Sequence, residues 1–218
     1  MKTFGIIGDS YSTYKGYIPE DYEAWYTDGG NECENDLKGV ENTWWKLFEK
    51  ESGLSPVTNC SYSGSAVCYS GYPDRDGVKT SFIYRMKREL GENSPKPDLI
   101  IIFGGTNDFW AGSPVGATKY GFWNEENLKS FGPAFCYMLD YLKRYNPDSK
   151  FINIINDEIT SQIREIQIEA CDHFGIECLL LQNISKQNGH PNTAGMRAIA
   201  EQLYMTYKML PKSGCEQH

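Results

Sequence analysis

The chain has 218 residues, 40% of them hydrophobic and 23% charged, with a formal net charge of -8. That length can bury a substantial core without a disulfide framework or a structural metal. The acidic balance, with no basic run, argues against a nucleic-acid partner, and no apolar run is long enough to cross a bilayer as a helix.

Seven cysteines, Cys33, Cys60, Cys68, Cys136, Cys171, Cys178 and Cys215, are odd in number and lack zinc-ligand spacing. They read as reduced thiols. The first strand begins almost at residue 1 and leaves no room for a signal peptide, so the expected location is cytoplasmic.

Lys2 to Gly8 is a short apolar run that breaks into Gly8-Asp9-Ser10. It reads as a buried parallel strand whose carboxyl end delivers Ser10. Ligands of a parallel sheet collect outside such ends, so Ser10 reads either as a nucleophile or as part of an ordinary capped turn. Residues 11–39 lose periodicity and fill with Tyr11, Tyr14, Tyr17, Tyr22, Trp25, Tyr26 and acids. So long a connection is either a lid over the site or a surface loop anchored by its rings. Asn42 or Thr43 caps a helix beginning at Trp44, and Pro56 to Cys60 form a second strand leading to Gly64, whose backbone N–H can approach a ligand closely. Residues 69–77 make another polar and aromatic loop, in which Arg75 is expected to pair with Asp74 or Asp76 rather than with substrate.

Asp98 to Phe103 is the central strand, followed by Gly104-Gly105-Thr106-Asn107-Asp108. There the Asn107 amide either serves an Asx turn or donates to an oxygen where charge develops. Residues 109–123 read as a loop walling the pocket or packing on the sheet edge. Leu128, Phe131, Phe135, Met138 and Leu142 have helical spacing. Phe151 to Ile155 and Ile176 to Leu181 are further strands, separated by a helix over Ile159 to Ala170. Residues 182–192 read as a loop carrying His190, and a final helix follows Pro191-Asn192-Thr193.

Four ordered blocks now stand out: Gly8-Asp9-Ser10, the segment around Gly64, Gly105-Thr106-Asn107-Asp108 and Gly189-His190-Pro191. Together they resemble the SGNH or GDSL-type serine hydrolases over nearly the whole chain. The resemblance implies Ser10 as nucleophile, Gly64 and Asn107 as oxyanion-hole donors, and His190 as base. It implies an α/β/α sandwich with a five-stranded parallel sheet in flavodoxin-like order, here one domain over residues 1–210 with 211–218 a frayed tail. The family's usual aspartate three residues before the histidine is replaced by Gln187. Three accounts remain open: a Ser10–His190 dyad oriented by Gln187 or a backbone carbonyl, an acid recruited from elsewhere with Asp157 and Glu158 as candidates, or a catalytically weak protein.

The expected reaction is hydrolysis of a carboxylic ester through an acyl-enzyme. The substrate would be a short acyl group, such as acetyl, on a carbohydrate or other polar alcohol, with no metal or cofactor. The alternative is a carbohydrate- or metabolite-binding protein that keeps the fold without efficient turnover.

Overall fold

The computed structural model describes residues 1–28 and 35–211, so Cys33, Cys215 and the tail beyond Pro211 lie outside the described residues. Five strands, β1 (Thr3–Gly8), β2 (Ser55–Asn59), β3 (Leu99–Phe103), β4 (Lys150–Ile155) and β5 (Glu177–Leu180), form one sheet in the order β2-β1-β3-β4-β5. Every neighbouring pair is parallel. This is the doubly wound, flavodoxin-like order, whose direction of winding reverses beside β1.

Alternation along the strands sends side chains to two cores. Ile7, Ile100 and Ile102 pack with α3 (Phe82–Glu89), α5 (Phe131–Tyr145) and α6 (Ser161–Phe174) on one face. Phe4, Ile6, Ile101, Phe103 and Ile152 pack with α1 (Trp44–Ser52) and α7 (Thr193–Met209) on the other. β3, and β1 from Phe4 onward, are buried because both faces are covered, which is why they read as continuous apolar runs rather than alternating ones. Their register pairs Gly8 with Phe103, so the chain leaves both strands at one level and the segments carrying Ser10 and Asn107 emerge side by side.

Local chemistry accounts for the helix starts. The hydroxyl of Thr43 caps α1 and Thr160 caps α6. Pro133 lies in the first turn of α5, where its missing N–H has no intrahelical partner to lose. Leu128, expected on that helix, sits in the preceding 3-10 turn (Asn127–Lys129) instead.

Two segments differ from their expected loop state. Thr106–Trp110 forms a short helix, α4, so Asn107 lies in its first turn rather than in an extended loop. Between 182 and 192 the chain forms a small antiparallel hairpin, β6 (Lys186–Gln187) with β7 (His190–Pro191). Asn188 and Gly189 form its two-residue turn with φ of 50° and 73°. Positive φ at both positions is what a type I′ turn demands and what Asn-Gly supplies most readily.

Candidate active site

Asp9 follows β1 and caps a 3-10 turn over Ser10–Ser12, its Oδ1 accepting the Tyr11 N–H at 3.0 Å. The cap bends the chain sharply and turns Ser10 toward the sheet edge. Burial raises the Asp9 carboxyl to about pKa 7, against the opposing backbone bond from Tyr11 and the positive field of Arg85. Arg85 is itself buried, and its guanidinium donates to the Gly8 carbonyl at 3.1 Å and to Ser65 Oγ at 2.8 Å. One side chain thereby ties the Ser10 segment to the Gly64 segment.

The Ser10 hydroxyl lies 2.9 Å from His190 Nε2, across 180 residues of sequence, and the two residues are only 2% and 6% exposed. The other ring nitrogen, Nδ1, is 3.0 Å from the backbone carbonyl of Asn188. A carbonyl only accepts, so Nδ1 carries the hydrogen and Nε2 presents a lone pair to the serine. This tautomer is the one able to take the Ser10 proton.

Gln187 does not touch the ring: its Oε1 accepts the Asp36 backbone N–H at 2.8 Å. Asp157 and Glu158, the candidate replacement acids, are engaged elsewhere. Both pair with Lys186 Nζ, at 2.5 and 3.0 Å, and Asp157 also accepts the Ile184 N–H. The neutral partner is therefore a main-chain carbonyl, and the type I′ turn is what brings it there. Asn188 belongs to the same two-residue turn that projects His190, so ring and acceptor are fixed together.

The long loop after Ser10 clasps this hairpin. Tyr11 donates to the Gly189 carbonyl at 2.6 Å, Tyr26 donates to the Pro191 carbonyl at 2.8 Å, and Asp36 accepts from the Thr193 N–H at 2.8 Å. Tyr11 and Tyr26 thus act as anchors. Trp25 differs, stacking flat on the imidazole with ring centroids 3.6 Å apart and planes 8° from parallel.

Gly64 and Asn107 meet the pair in one cavity of about 240 Å3, lined also by Trp25, Ser63, Tyr72, Asp74, Arg75 and Trp110. Gly64 has φ of 76°, a backbone conformation that favours glycine, and the Arg75 guanidinium lies 2.9 Å from where a Cβ would sit. Arg75 pairs with Glu23 at 2.6 Å and donates to the Ser63 carbonyl at 2.9 Å, rather than pairing with Asp74 or Asp76 as expected. Asp76 instead caps a short helix, α2 (Gly77–Thr80). The Tyr72 hydroxyl donates to Asn107 Oδ1 at 3.2 Å, while Asn107 Nδ2 is buried with no hydrogen-bond partner. Asp108 locks the two segments together by accepting from the Val67 and Cys68 N–H groups at 2.8 and 3.3 Å.

A sequence profile of the GDSL-like lipase/acylhydrolase family matches residues 2–207. The chain belongs to this family. Two crystal structures are similar to this GDSL-like hydrolase along nearly their whole lengths. One is a proposed GDSL-like lipase from Bacteroides uniformis, 42% identical with a TM-score of 0.89, covering 95% of this chain and 96% of that one. The other, from Bacteroides ovatus, is 38% identical with a TM-score of 0.89, covering 95% and 98%. An acetyl xylan esterase from Butyrivibrio proteoclasticus shares the fold at 17% identity and a TM-score of 0.62, covering 95% of this chain and 63% of that one. A search of curated proteins finds no match. As a family member the GDSL-like hydrolase is a carboxylic ester hydrolase acting on small esters.

Of the residues that matter to this geometry, Trp25, Tyr72 and Asp108 carry no sequence signal beyond their types. The Asn188-Gly189 turn does: an Asn-Gly pair is a strong hairpin signal.

Proposed function

We propose that this hydrolase cleaves a short acyl group, of acetyl size, from a polar alcohol of carbohydrate type, with Ser10 as nucleophile and His190 as sole general base. The observation that carries the reading is the 2.9 Å contact between Ser10 Oγ and a lone-pair nitrogen of His190, inside the cavity that Asn107 also lines. His190 takes the serine proton as Oγ attacks the ester carbon. The oxyanion is received by the Asn107 amide and the backbone N–H groups of Ser10 and Gly64. His190 then protonates the leaving alcohol and activates water for deacylation.

The unpartnered Asn107 Nδ2 supports its part in this. A buried donor without an acceptor costs ~1–3 kcal/mol, a cost that a substrate oxygen relieves at the moment it becomes charged. Size and lining support the substrate class. A cavity of about 240 Å3 is below the span of drug-sized pockets and suits a short acyl group. Trp110, which lines the cavity and is 37% exposed, offers an aromatic face for a sugar ring.

A panel of aryl esters from acetate to octanoate, with acetylated sugars beside simple alkyl acetates, tests the assignment. The expected result is a kcat/KM that falls steadily beyond butyrate and is higher on sugar acetates than on alkyl acetates. Higher efficiency on octanoate removes the short-acyl proposal, and equal rates on both alcohols remove the carbohydrate part.

The reading also fixes a pH dependence. Burial lowers the His190 pKa from 6.5 to about 4, with the Asn188 carbonyl opposing the shift and Lys186 adding to it. The base works only when neutral, so kcat/KM stays level from neutral pH down to roughly pH 5 and loses about tenfold per unit below the folded-state pKa. A pH-rate profile on a small activated ester measures this. An acid limb centred near 6.5, the ordinary value, contradicts it.

A further inference from the structure

Among the described residues no carboxylate meets Nδ1, and the imidazolium formed during proton transfer has the Asn188 carbonyl dipole behind it. Among the described residues three π systems have centroids within 6 Å of that of the ring. Trp25 lies parallel on one face at 3.6 Å, and Tyr11 and Trp110 approach at 5.4 and 5.6 Å with planes inclined by 63° in each case. A cation within about 6 Å of an aromatic centroid, out of water, is attracted by the ring quadrupole, most strongly by that of indole.

We propose that Trp25 is a positioning residue that also supplies electrostatic support to protonated His190, its π face on the ring giving part of the support that an acid at Nδ1 gives in other members of the family. The inference rests on the reading of His190 as the base. The attraction is small while the imidazole is neutral and grows as the Ser10 proton arrives on Nε2, so it favours the transition state over the ground state and acts on kcat rather than on KM.

The fold holds Trp25 in register with the nucleophile. Its backbone N–H donates to Thr13 Oγ1 at 2.8 Å, and that hydroxyl donates to the Ser10 carbonyl at 2.9 Å. Two residues earlier, the Glu23 carbonyl accepts the Ser63 N–H at 3.0 Å, and the Glu23 carboxylate pairs with Arg75. The backbone that carries the indole is therefore tied to both the Ser10 turn and the Gly64 segment.

The test is site-specific replacement of Trp25 by monofluoro-, difluoro- and trifluorotryptophan, which keep the shape of the indole while draining its π face. kcat on an activated acetate should fall stepwise, by about tenfold across the series, with KM unchanged within about twofold. Trp25→Leu, which removes the π face, should lose about thirtyfold in kcat. Because the fluorinated proteins are nearly isosteric, a purely structural role leaves the series flat, and a flat series overturns the inference whether or not Trp25→Leu folds. Ser10→Ala measured alongside separates the two levels. If it is inactive while the series is flat, only the role of Trp25 falls; if it keeps the parent rate, the acyl-transfer reading and this inference fall together.

Discussion

Ser10→Ala protein should hydrolyse a small activated ester at least about four orders of magnitude more slowly than the parent, with its fold intact. The hydroxyl makes one contact that matters, with His190 Nε2, and alanine in its place leaves the neighbouring hydrogen bonds of the turn in being. Asp9 still caps the turn through the Tyr11 N–H, and Thr13 still donates to the residue 10 carbonyl. What disappears is the atom that forms the acyl bond in the proposed mechanism. Steady-state kinetics together with a thermal melt checks this, and a melting temperature near that of the parent with turnover abolished is the expected pair of results. Residual hydrolysis near the parent rate would move the nucleophile elsewhere.

Asn107→Ala should reduce kcat by about 10²–10³-fold and leave KM within a fewfold of the parent value, the signature of one lost oxyanion donor. The asymmetry of its amide is the reason. Tyr72 holds the Oδ1 end, whereas the buried Nδ2 end spends nothing on the ground state of the free protein. Removing the side chain therefore sacrifices little stability from the Nδ2 side and much of the preorganised field. Asn107→Asp is the sharper comparison, since it keeps the shape but sets a carboxylate against the developing oxyanion, and it should be at least as slow as the alanine variant. Loss of stability in Asn107→Ala with kcat unchanged would reduce Asn107 to a structural turn residue.

The fold was legible to the extent that it rests on local pattern. β1 and β3 announce themselves as unbroken apolar runs because both faces of the central sheet are covered, and the helical stripe of α5 is readable from its spacing. Ser10, Gly64, Asn107 and His190, singled out by motif, line one cavity because each follows a strand that ends at the same sheet edge or, for His190, sits on the hairpin folded against it. Harder to read was whatever depends on which of several partners a side chain meets. Arg75 has acids on either side in sequence, yet it reaches back to Glu23, because Gly64 leaves space for its guanidinium against the 63–64 backbone. Gln187 keeps the spacing of the family acid, but its side chain is claimed by the Asp36 N–H. Trp25 was one of six rings in a loop, and only the folded structure separates it from Tyr11, Tyr14 and Tyr26, which are buried anchors.

A backbone carbonyl at Nδ1 has a practical consequence for engineering the site. Gln187→Asp does not rebuild a triad, because position 187 faces the Asp36 segment and the acceptor position is already filled by the Asn188 carbonyl. On the proposed mechanism the proton relay runs between Ser10 and His190, and its output depends on the donors and rings around them.

The most direct test of that relay is covalent. The hydrolase is treated with a fluorophosphonate or quenched during turnover of a slowly deacylated ester, digested, and the modified peptide identified by mass spectrometry. A single adduct on Ser10, absent from Ser10→Ala and strongly slowed in His190→Ala, is the predicted result. Continued turnover with no adduct on Ser10, or an adduct formed at the parent rate without His190, would contradict the account.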